Sequence, residues 1–153
     1  MAPITNIKPN NLLFIGVFLT RYQKGSAAER ELISLLYAKG FSVLRAAGSG
    51  KSSFPAPDIV ALNREKKLAI ECKAWDSDYL SIPLAQMEEQ IGWSERAGAE
   101  MVVAWKMPRE GFFFLSPNHF VKTAKSYAIS KENAKKNGSK LDVFLGFQSR
   151  LKV

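Results

Sequence analysis

The chain has 153 residues, enough for one domain that buries a core without disulfide or metal staples. With 22 Lys and Arg against 14 Asp and Glu, its net charge of +8 favours a polyanionic partner, nucleic acid ahead of an anionic membrane. The single cysteine, Cys72, excludes an internal disulfide framework, and the apolar stretch Leu12 to Leu19 is too short to span a bilayer, so a soluble, cytoplasmic protein is expected.

The first residues, 1–21, carry Asn, Pro and Gly punctuation without a sustained period and read as an N-terminal extension of unknown role; residues 22–153 read as a single domain. From Ser26 the run SAAERELISLLYAKG places Leu32, Ile33, Leu35 and Leu36 at helical spacing and stops at Gly40. A strand (FSVLRA), a Gly/Ser loop, and two further strands (PDIVALN and KLAIECKAW) joined by a turn at Asn63 to Lys66 follow. Pro83 opens a second helix that ends at Gly98, after which AEMVVAWK and FFFLS form strands around the turn at Pro108 to Gly111. Ser116 caps a helical turn at Pro117. The stretch from Ala124 to Lys140 is basic with little pattern, and a short last helix begins at Leu141. The resulting order, α-β-β-β-α-β-β-α, defines an α/β fold with a mixed central β-sheet flanked by helices.

Four residues stand out for chemistry. Glu29 lies on the first helix, Asp58 opens its strand after Pro57, and Glu71 and Lys73 stand two apart, on one face of the next strand. Leu68, Ile70, Cys72 and Ala74 occupy the opposite face and must pack on the core, so the charged pair faces a cleft or solvent. Asp and Glu are hard oxygen ligands suited to Mg²⁺, which activates water and offsets charge during phosphodiester hydrolysis; an adjacent ammonium orients the water and pairs with the phosphate.

Each of these residues also has a simpler structural role open to it. Ser26-x-x-Glu29 is also a capping box, and Glu71 with Lys73 is also a same-face surface ion pair of little energetic value. Arg30, Arg45 and Lys51 are candidate phosphate contacts, with solvation as the alternative. Ser49 sits in a loop able to offer hydroxyl and amide groups to a phosphate. Gln86, near the start of the second helix, is a candidate polar contact beside the site, or a surface glutamine. His119 belongs to no metal or nucleophile spacing and is assigned a capping or core role. Three consecutive Phe residues, Phe112 to Phe114, cannot share one sheet face, which suggests that one face is covered by a second subunit.

Pro57-Asp58, twelve intervening residues, then Glu71-Cys72-Lys73 is similar to the PD-(D/E)xK nuclease signature. Together with Lys24-Gly25-Ser26, Glu29-Arg30-Glu31, Gly40 to Arg45 and Gly48-Ser49-Gly50, it resembles the archaeal Holliday junction resolvases over Tyr22 to the C-terminus. The resemblance implies a restriction-endonuclease-like core and an active site of Glu29, Asp58, Glu71 and Lys73, with Ser49 in the glycine-rich loop. Glu29, Asp58 and Glu71 would hold Mg²⁺. It further implies a nucleoid-associated homodimer, without a small-molecule cofactor, that nicks opposed strands of a four-way DNA junction symmetrically during recombination and repair. Two alternatives remain: a nuclease of the same type acting on other branched or duplex DNA, and a non-catalytic junction-binding protein.

Overall fold

The computed structural model describes residues 9–46 and 54–147. Helix α1 (Pro9–Ala38) leads into β1 (Ser42–Arg45), β2 (Ile59–Leu62) and β3 (Lys67–Lys73). Strand β4 (Tyr79–Pro83) runs directly into α2 (Leu84–Ala97), followed by β5 (Glu100–Met107) and β6 (Gly111–Leu115). A 3₁₀ turn (Pro117–His119), β7 (Val121–Lys122), β8 (Ser126–Ser130), α3 (Lys131–Asn137) and α4 (Leu141–Phe144) complete the described chain.

The main sheet has the order β1-β2-β3-β5-β6 and is mixed: β3 and β5 are parallel, and every other neighbouring pair is antiparallel. The parallel pair at its centre explains the nearly unbroken apolar sequence of β3 and β5, since a central strand covered on both faces has no solvent side. On one face Ala28, Leu32 and Leu36 of α1 recur every fourth residue and pack with Ile59, Leu68, Ile70, Val102, Ala104 and Phe114. On the other face Met87 of α2 joins Val103, Trp105, Met107 and Phe113.

That second face also carries an element the sequence did not disclose, a small antiparallel sheet β4-β8-β7. Its inward residues Leu80, Ile82, Tyr127 and Ile129 close over Trp105 and Phe113. The rings of Phe112, Phe113 and Phe114 are consequently all buried within one chain, divided between the two faces. The expectation that a second subunit covers them is thereby corrected: the chain's own helices and second sheet do so.

Other boundaries also shift. Helix α1 begins at Pro9, well before Ser26, so Ser26 lies inside a helix and does not form a capping box with Glu29. Helix α3, absent from the sequence reading, is capped by Ser130, whose hydroxyl accepts from the Asn133 amide. The turn at Ser116 is as expected: its hydroxyl accepts from the Asn118 amide, and His119 Nδ1 accepts from the Ser116 amide, a capping role for the only histidine. Gly98 ends α2 in the left-handed region at φ 63°, where a side chain is costly. Among the described residues, no helix is long and apolar enough to cross a membrane.

Candidate active site

Four elements meet at one end of the central strands of the main sheet: α1 from one face, α2 from the other, and the adjoining ends of β2 and β3 between them. The antiparallel register pairs Ile59 with Ile70, which sets Asp58 opposite Glu71 one step farther along. Asp58 Oδ2 accepts a hydrogen bond from the Cys72 amide at 2.9 Å, tying its carboxylate to the neighbouring strand.

Glu71 is only 4% exposed. Its Oε1 accepts from Lys73 Nζ at 2.8 Å and from Gln86 Nε2, in the first turn of α2, at 2.7 Å. Desolvating both members of such an ion pair costs several kcal/mol each, which their mutual attraction seldom more than offsets. A buried ion pair is therefore a poor source of stability, and its presence in a cavity favours a chemical role over the surface-pair reading.

Glu29 projects from α1, beside the buried Ala28, and its Oε2 accepts from Arg45 Nε at 2.6 Å. The Ser26 hydroxyl accepts from Arg30 Nη1 at 2.7 Å and from Arg45 Nη2 at 3.2 Å. Two guanidinium groups thus converge on one hydroxyl beside the carboxylate. A cavity of about 340 Å³ joins these parts and is lined by Glu29, Asp58, Glu71, Lys73, Gln86 and, unforeseen from sequence, Glu89 and Gln90. Ser49 and Lys51 lie outside the described residues.

The site is short of positive charge. Asp58 is raised from 3.8 to about 7, first by burial and then by repulsion from Glu71; the Cys72 amide opposes this, Glu29 adds to it and Lys73 opposes it. The same burial, with Asp58, Glu29 and Glu71 nearby, pushes the Cys72 thiol upward and keeps it protonated. Among the described residues no three acidic, Cys or His side chains converge tightly enough to hold an ion as they stand. Glu29 is turned toward Arg45, and Glu71 toward Lys73 and Gln86. The donor chemistry nevertheless fits a hard divalent cation, because four carboxylates border one cavity and one of them, Asp58, is driven toward protonation by burial and by its acidic neighbours.

Gln90 was discoverable. Gln86, Gln90 and Ser94 recur every fourth residue along α2, a polar stripe beside the buried Met87, and Gln90 and Ser94 are themselves buried. Glu89 had no such signal: in sequence it is one of several charged residues on an exposed helix face.

A mixed sheet flanked by helices, with Asp58, Glu71 and Lys73 gathered at the ends of two of its interior strands, defines the class as a PD-(D/E)xK-type nuclease fold. The archaeal Holliday junction resolvase (Hjc) family model matches residues 20–153, and the chain belongs to that family. It is 38% identical over 108 residues to the crossover junction endodeoxyribonuclease Hjc of Archaeoglobus fulgidus, covering 71% of this chain and 79% of the relative. To the crossover junction endodeoxyribonuclease Hjc of Methanocaldococcus jannaschii it is 33% identical over 111 residues, covering 72% and 79%. The 1.6 Å structure of Archaeoglobus fulgidus Hjc, a Holliday junction resolvase, superposes with a TM-score of 0.73 at 32% identity, covering 80% of this chain and 96% of that one. A nuclease family of this kind implies a DNA substrate and a divalent metal ion.

Proposed function

We propose that the protein is a structure-selective endonuclease that resolves four-way DNA junctions by paired, symmetric, Mg²⁺-dependent nicks. The observation that carries this reading is the buried Glu71, held between Lys73 and Gln86 and opposite Asp58, in a chain of the junction resolvase family.

Asp58, Glu71 and Glu29 are the residues that would hold Mg²⁺. When bound, the ion supplies Lewis acidity to a phosphoryl oxygen and makes water a stronger nucleophile at neutral pH. Lys73, within reach of Glu71, orients the attacking water and pairs with the scissile phosphate. Gln86 fixes which way the Glu71 carboxylate faces by donating to Oε1. In the hydrolysis the water oxygen bonds to phosphorus, the bond to one strand oxygen breaks, and that oxygen takes up a proton.

Arg30 and Arg45, gathered at Ser26, are phosphate contacts; Ser49 takes the role that the family resemblance implies for it, and Lys51 that of a further phosphate contact. A homodimer is the assembly that suits the substrate, since a two-fold junction offers two equivalent phosphates to two equivalent sites. Recognition then rests on backbone shape and charge, consistent with the net charge of +8. Residues 22–153 form the nuclease domain, and residues 1–21 are an extension of it.

The test is cleavage of a synthetic four-way junction beside linear duplex, flap and single strand, with Mg²⁺ present and absent. Paired symmetric nicks in the junction alone are expected. Equal cutting of duplex or flap would replace this reading with a broader nuclease, and tight binding without cutting would replace it with a junction-binding protein.

A further inference from the structure

Asp58 is tied to the end of the ladder, its carbonyl accepting from the Ala46 amide at 2.9 Å, but residues 55–57, the segment that delivers it, precede the paired residues of β2. Pro55 and Pro57 leave that segment with the Ala56 amide as its sole main-chain donor, and Pro57 restricts Ala56 to extended conformations. The Ala56 carbonyl is held from outside the sheet: Gln90 Nε2 donates to it at 3.0 Å. Gln90 is only 6% exposed on a helix face whose neighbouring core residue is Met87. A buried primary amide is costly unless bonded, so this contact is specific and not incidental.

One turn earlier on the same face, Gln86 donates to Glu71. Helix α2 therefore grips both carboxylate-bearing segments from one rigid ridge: Glu71 directly, and Asp58 through the main chain two residues before it. We infer that Gln90 is a positioning residue that sets the placement of Asp58 relative to Glu71, and hence the affinity of the site for its divalent ion. The inference rests on the metal-dependent reading of the cavity given above.

The test compares wild type with Gln90→Met, which keeps side-chain length but removes the donor, and with Ser94→Ala as a control. Ser94 is buried one turn farther on and its hydroxyl donates to the Gln90 carbonyl, so its loss perturbs α2 without touching Ala56. Mn²⁺ binding by calorimetry and the Mg²⁺ concentration for half-maximal junction cleavage are measured alongside Tm and junction affinity in Ca²⁺. Loss of an outer partner of a metal ligand characteristically weakens metal binding by about ten- to a hundredfold. A weakening of that size is expected in Gln90→Met for both metal readouts, with junction affinity in Ca²⁺ unchanged and Ser94→Ala like wild type in metal binding.

Wild-type Mn²⁺ affinity in Gln90→Met would overturn the inference, as would equal weakening in Ser94→Ala. Gln90→Leu takes the place of the Met variant if the latter does not fold, with the same outcomes decisive. Because metal binding is read without cleavage, a wild type that binds Mn²⁺ but does not cut junctions would overturn the proposed activity and leave Gln90 to be judged on the binding data.

Discussion

Arg45 Nε donates to Glu29 Oε2 at 2.6 Å, joining the edge strand β1 to helix α1 at the mouth of the cavity. The pair is partly exposed, so its contribution to stability is small, about 1 kcal/mol or less. Its consequence lies in binding. Arg45 and Arg30 share the Ser26 hydroxyl, which concentrates positive charge where a phosphate would displace the weaker contacts. Arg45→Ala and Arg30→Ala are each expected to lower Tm by no more than a few degrees and to reduce the slope of log affinity against log salt by about one. Salt titration of junction binding checks this; unchanged slopes would remove both residues from the DNA contact.

The hydrogen bond from Gln86 to Glu71 makes a separate prediction. Gln86→Ala leaves Glu71 free to rotate toward Lys73 alone. The single-turnover cleavage rate is expected to drop by about ten- to a hundredfold, with junction affinity little changed. A loss of junction affinity with the rate intact would instead make Gln86 a DNA contact.

Asp58 gives the protein a pH signature. Because folding raises its carboxyl from 3.8 to about 7, the metal-free folded state holds a proton there that the unfolded chain has already released. The stability associated with that proton is fully present below the unfolded value of 3.8 and is lost as pH rises through about 7. Asp58→Asn removes this dependence and is expected to raise the Tm of the metal-free protein most at pH 7 and above. Below pH 7, metal must displace the Asp58 proton, so apparent affinity climbs with pH and levels off near 7. Calorimetry in buffers of different ionisation enthalpy measures the released proton, which Asp58→Asn should abolish.

The sequence disclosed some parts of this architecture and hid others for identifiable reasons. Leu32 and Leu36, at helical spacing, and the apolar runs of β3 and β5 carried the main sheet and the helix on one of its faces, because burial there dictates pattern. The second sheet was hidden although Leu80, Ile82, Tyr127 and Ile129 alternate correctly. Its strands are short, its partners lie far apart in sequence, and Pro83 signals a helix start more strongly than a strand end. At the site, Asp58, Glu71 and Lys73 were legible from spacing, since strand period alone puts Glu71 and Lys73 together. The burial of Gln90 was legible in the polar stripe Gln86, Gln90 and Ser94, but its partner was not, because that partner is the main-chain carbonyl of Ala56 and no side-chain pattern announces such a contact.

Core packing supports a further test of the fold that positions the site. Leu32 is fully buried against Ile59, Leu68 and Ile70, so Leu32→Ala creates a cavity and is expected to cost about 2 to 5 kcal/mol. Denaturant unfolding measures it, and a loss below about 1 kcal/mol would contradict the packing of α1 on the sheet.

On the proposed reading, the carboxylates at the ends of β2 and β3 perform the chemistry. The most direct measurement is junction cleavage by Glu71→Ala beside wild type, with junction affinity measured in parallel. Abolished cleavage with affinity and fold retained is the expected result; cleavage by Glu71→Ala at the wild-type rate would contradict it.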